Sequence, residues 1–176
     1  MDAPLRVKKK TPTPHGAVMT SPPPPMTMSE EDADLMRSKA RATVGKWTAE
    51  DVAFNGCVTL TDNAYTVTYV GSDRGYDIEG HMSIKCCCFY LGHHTSKGSF
   101  AESGDRGVSQ DTNGTSLTYA LVSIDRVNST ATYAVTGTDE NGLPVRGTSV
   151  HSQNERVVTL QMAGAPPGGL KMTYRR

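Results

Sequence analysis

The chain has 176 residues, with 18 basic and 18 acidic side chains, 36% apolar residues, 17 glycines and 10 prolines. That is one domain's length, and with glycine added the apolar share nears the roughly 45–50% of soluble globular chains, which argues against global disorder. No run of about 18 apolar residues exists and the first residues lack an apolar signal stretch, so neither a spanning helix nor conventional secretion is expected.

Residues 1–28 hold seven of the prolines, including the run Pro22 to Pro25, and four cations, Arg6, Lys8, Lys9 and Lys10, against Asp2 alone. Such a segment buries too little apolar surface to offset its ordering entropy and is expected to be a Pro-rich basic arm, disordered unless bound. Residues 29–44 are predicted to form one helix. Ser29 is suited to the N-cap, and Glu30, Glu31, Asp32 and Asp34 sit in the first turn, where the helix dipole favours anions. Arg37, Lys39 and Arg41 occupy the last turn and Gly45 ends it, while Ala33, Met36, Ala40 and Val44 make a narrow apolar stripe.

From residue 45 the period becomes two. Ala131, Tyr133 and Val135 alternate with threonines, and the same pattern recurs around Tyr65–Tyr69, Leu117–Leu121, Val158–Met162 and Leu170–Tyr174. Turn signals punctuate these runs at Asp62-Asn63, Gly71 to Gly75, Asp125 to Asn128, Asn141-Gly142 and Gly164 to Gly169. About eight strands without intervening helices exclude a parallel α/β sheet and predict an all-β domain over 45–176. It is expected to be an antiparallel meander closed into a barrel, with a two-sheet sandwich as the alternative.

No catalytic motif is present. The chain has no Gly-x-Ser-x-Gly elbow, no Gly-Lys-Ser/Thr phosphate loop and no paired Cys-x2–4-Cys elements, so neither an enzyme, nor a cofactor, nor a metal centre is expected. Cys86, Cys87 and Cys88 are adjacent and the fourth cysteine is Cys57. Neighbouring cysteines make a poor disulfide framework and are read as small apolar residues of a strand buried on both sides, in a reducing compartment. His93-His94 reads as a solvated turn. Asp77 and Glu79 share one strand face without a cleft to make them a catalytic pair. The region from residue 45 carries 11 basic and 13 acidic residues, which disfavours nucleic acid as a partner.

Gly45-Lys46-Trp47, between a helix and the first strand of a meander and holding the single Trp, resembles the Gly-x-Trp signature that opens the lipocalin and fatty-acid-binding barrels of the calycin superfamily. The resemblance implies that Trp47 seals one barrel end against a basic residue of the last strand, Arg175 or Arg176. It also implies a cavity for a small hydrophobic ligand, lined from the face of Tyr65, Val67, Tyr119, Leu121 and Tyr133. With three Phe and one Trp, and with Thr and Ser interrupting the buried faces, a large apolar cavity is not expected.

Two functions follow. The first is a non-catalytic structural or adaptor component of a large intracellular assembly. Its β-domain would dock on one partner while Arg6, Lys8, Lys9 and Lys10 touch another surface, such as the tubulin lattice of a ciliary axoneme, placing it in the cytoplasm or cytoskeleton. The alternative is a calycin-type carrier of a small hydrophobic ligand.

Overall fold

In the computed structural model, which describes residues 26–176, one helix and eleven strands follow one another: α1 (Glu30–Ala42), β1 (Gly45–Ala49), β2 (Val52–Asn55), β3 (Val58–Gly71), β4 (Gly75–Cys86), β5 (Phe89–Phe100), β6 (Arg106–Asp111), β7 (Ser116–Asp125), β8 (Thr130–Thr138), β9 (Pro144–His151), β10 (Glu155–Gln161) and β11 (Leu170–Arg175). Arg6, Lys8, Lys9 and Lys10 lie outside the described residues. Every strand from β3 onward pairs antiparallel with the next. β1 pairs on one side with β11, Thr48 opposite Arg175, and on the other with β3, Trp47 opposite Tyr65. That double pairing closes a ten-stranded barrel and settles barrel against sandwich. β2 adds to the first half of β3, Val52 opposite Leu60, outside the closure.

The local chemistry of α1 follows its sequence. Ser29 Oγ accepts from the Asp32 backbone N–H at 3.1 Å, and Arg126, from the β7–β8 turn, forms ion pairs with Glu31 and Asp32 that pin the first turn to the barrel. Those bonds hold the Asp32 carboxyl below its ordinary pKa, Arg126 being the largest cause. Met36 and Ala40 are buried on the apolar stripe. Met36 joins Leu121, Ala131 and Tyr133 in a cluster that Met26 and Met28 also cover, so the end of the Pro-rich segment contributes apolar surface that its composition does not advertise.

Strand parity sets the core. Val135, Val145, Leu160, Leu170, Met172 and Tyr174 point inward with Trp47 and Tyr76. Several expectations are corrected. Asp62-Asn63 is not a turn: both lie inside β3, where the register slips between Thr61 and Ala64 and Asp62 takes φ +53°, a bulge that bends a strand of 14 residues. His93 and His94 lie within β5, paired with Ser83 and Met82, rather than in a turn. Cys86 ends β4, and Cys87 and Cys88 make the exposed β4–β5 turn rather than a doubly buried strand. Cys57 and Cys86 form a disulfide, against the expectation of free thiols, because the register that sets Val58 opposite Cys86 brings the preceding Cys57 within reach.

Candidate functional site

One end of the barrel is closed from the residues upward. Trp47 is fully buried, its indole N–H donates to the Thr43 carbonyl at 2.8 Å, and its ring stacks on Tyr65 with centroids 6.1 Å apart. Arg176 donates to the carbonyls of Ala42 and Val44 at 2.8 and 2.9 Å and fixes the corner between α1 and β1. Arg175 faces out, paired with Glu50 and Glu155. The cation that packs on Trp47 is Arg156 of β10, whose guanidinium carbon stands 4.7 Å from the indole centroid and 5.4 Å from the Tyr65 ring.

Arg156 is 6% exposed, and its Nε has no hydrogen-bond partner; nor has the hydroxyl of Tyr65 beside it. Among the described residues it forms no ion pair. Burying a cation without a counter-charge is costly, and the orphaned Nε leaves a donor to be satisfied. Arg156 was not singled out by the sequence, yet a signal existed: Val158, Leu160 and Met162 form one strand face, and two steps back along that face is residue 156.

Above Arg156 the barrel is hollow. A cavity of about 600 Å³ is lined by Leu60, Met82, Ile84, Leu117, Val158 and Met172, among others, with Tyr65, Tyr119 and Tyr174 around Arg156. This corrects the expectation that no large apolar cavity would form: small residues on the facing strands, Gly80, Ser96, Ser109 and Ser149, leave the volume that a few aromatics would have filled. Of the five residues expected to line it, Tyr65 and Tyr119 do. Val67 and Tyr133 line a smaller cavity of about 180 Å³ beneath α1, and Leu121 packs in the Met36 cluster. The large cavity reaches Leu91, which is 59% exposed, and Glu140 and Asn141 of the β8–β9 turn, so its mouth lies at the end away from α1.

Burial pushes the phenols of Tyr65, Tyr133 and Tyr174 well up, so they remain neutral donors. The Tyr174 hydroxyl donates to Asn63 Oδ1 at 3.1 Å and that of Tyr133 to the Gly104 carbonyl at 2.8 Å. His151 is held well below the ordinary imidazole pKa, by burial first and then by the charges of Arg156 and Lys39. It shares a 2.8 Å hydrogen bond with Ser149, which is 1% exposed. Both residues of the pair line the large cavity as polar groups. Asp77 and Glu79 lie outside, paired with Arg74 and Lys97. His94 reaches the cavity wall 3.9 Å from Asp111, near the mouth.

Among the described residues, no helix is long and apolar enough to cross a membrane. The ten-stranded antiparallel barrel is consistent with a calycin-like fold. No protein-family model matches the chain, and no curated protein matches it.

Proposed function

We propose that the barrel binds and carries a small amphipathic molecule, with an apolar body in the 600 Å³ cavity and an anionic head group on Arg156. One observation carries this reading: a buried cation at the closed end of an apolar cavity, with an unpartnered Nε and without a carboxylate of its own. The volume lies within the roughly 300–1,000 Å³ of small-molecule sites, and an apolar wall with a few convergent polar groups is their usual make-up. A carboxylate there would accept from the guanidinium and the Tyr65 hydroxyl, satisfying both orphaned groups at once. This ligand class refines the carrier expected from the Gly45-Lys46-Trp47 resemblance. The adaptor expectation draws on an arm whose residues 1–25 lie outside those described, so the cavity gives the carrier the stronger support.

Titration calorimetry with hexadecanoate and hexadecanol tests the reading. The wild-type barrel is expected to bind the acid more tightly than the alcohol. Arg156→Gln should weaken the acid by about tenfold or more, the worth of a charged hydrogen bond of roughly 1.5–3 kcal/mol, and leave the alcohol nearly unchanged. Equal affinities for acid and alcohol in the wild type, or no binding of either, would overturn it.

A further inference from the structure

The β4–β5 turn holds an arrangement that the cavity does not use. Cys57 and Cys86 are joined by a disulfide, Cys87 and Cys88 are exposed thiols, and the sulfurs of Cys57, Cys86 and Cys87 all lie within 4.8 Å of one another. The backbone keeps the third sulfur there. The Cys87 N–H donates to the Cys57 carbonyl at 3.1 Å, and Cys87 sits at φ +53°, a left-handed position that a non-glycine residue adopts when its surroundings hold it. The cluster borders the cavity mouth, since Val58 and Ile84, next to Cys57 and near Cys86, line the cavity.

We propose that these three cysteines form a thiol–disulfide exchange site in which Cys87 is the internal nucleophile. The Cys87 thiolate attacks Cys57 Sγ, a Cys57–Cys87 bond forms, and the Cys57–Cys86 bond breaks. The electron pair leaves on Cys86 Sγ, which takes up the proton that Cys87 gave up, so the step needs neither oxidant nor reductant. The covalent brace between the β2–β3 turn and the β4–β5 turn thereby shifts by one residue without being lost. The same geometry admits a small-molecule thiol: it attacks Cys57 Sγ, Cys86 leaves as a thiol, and Cys87 then attacks the mixed disulfide and expels the small thiol. Substrates are of the glutathione class, held by the exposure of the turn rather than by a pocket.

Cys88 is the internal control, because its sulfur is not among the three within 4.8 Å. The full chain is equilibrated in a reduced and oxidised glutathione buffer, acid-quenched, and its disulfides are mapped by fragmentation mass spectrometry. Both Cys57–Cys86 and Cys57–Cys87 are expected, in a ratio within about tenfold of unity, which corresponds to 1.4 kcal/mol. Cys57–Cys86 alone, with Cys87 fully alkylated, would overturn the proposal. Two variants read the same point by thiol counting. In C86S/C88S the remaining Cys57 and Cys87 should leave no free thiol, whereas C86S/C87S, keeping Cys57 and Cys88, should leave two. Free thiols in the first variant, or their absence in the second, would deny Cys87 its role. None of these readouts involves a cavity ligand.

Discussion

Arg156 is the residue on which the molecule's chemistry turns, and its environment makes a prediction about stability as well as binding. A buried cation without a partner carries a desolvation cost that its contacts with Trp47 and Tyr65 only partly return. Replacing a buried ion by an apolar side chain of similar volume is often neutral or stabilising. Arg156→Met should therefore leave the ligand-free barrel as stable as the wild type within about 1 kcal/mol, or more stable, while removing the head-group site. Urea denaturation of the ligand-free proteins measures this. A loss of several kcal/mol would mean that Arg156 is held by structural partners and is not free to meet a ligand. Legibility at this scale depended on parity. Arg156 shares a strand face with Val158 and Leu160, and His151 lies two steps from Ser149, but a charged residue on an apolar face is read from sequence as the end of that face. The Cys57–Cys86 bond was illegible for another reason: it depends on the register of β3 against β4, a non-local fact.

Among the elements, α1 and β8 were legible because each carries a redundant local code: caps, dipole charges and stripe in α1, and strict alternation in β8. β5 was not, since Gly92, His93, His94, Lys97 and Gly98 follow neither period, and its pairing on both sides with β4 and β6 supplies what its sequence lacks. The Asp62-Asn63 signal was legible but misassigned: a left-handed residue serves a bulge as well as a turn, and only the continued pairing of β3 with β4 beyond it distinguishes the two. The helix is predicted to depend on Met36, which is 1% exposed against Leu121, Ala131 and Tyr133. Met36→Ala should cost about 2–5 kcal/mol, the range for truncating a buried Met, because Gly104 and the small cavity beneath α1 offer nothing to refill the space. The urea midpoint reads this; a shift worth less than about 0.5 kcal/mol would make α1 a peripheral attachment instead of the plug of the closed end.

For the whole molecule, closure is the non-local act: Thr48 must find Arg175 across almost the entire described chain, whereas the hairpins join neighbours in sequence. What closure encloses then governs how stability responds to pH. His151 is half-buried against Ser149, Phe100, Tyr133, Arg156 and Lys39, and its pKa in the folded state lies well below 6.5. In the unfolded chain the same imidazole takes a proton near pH 6.5. Below that pH the unfolded state binds a proton that the folded state refuses, so stability is full above the unfolded value and falls as the solution is acidified. The expected slope is up to about 1.4 kcal/mol per pH unit between pH 6 and 5. The carboxylates of Asp32 and Asp125, whose pKa values are lowered in the fold, act in the same direction but only at lower pH, because their unfolded value is 3.8. Urea denaturation at pH 7, 6 and 5 separates the histidines from these carboxylates, and the difference between wild type and His151→Gln separates His151 from the other four histidines. The wild type should lose stability across this window, and His151→Gln, whatever its absolute stability, should flatten the dependence. An unchanged slope in His151→Gln would assign the acid sensitivity elsewhere and would mean that His151 is already open to protons from the cavity. Carriage of an anion adds a linked effect. Burial is the largest cause that keeps His151 neutral and the charges of Arg156 and Lys39 come second; a carboxylate bound on Arg156 offsets one of them, so hexadecanoate should raise the imidazole pKa and shallow the slope, whereas hexadecanol should leave it unchanged.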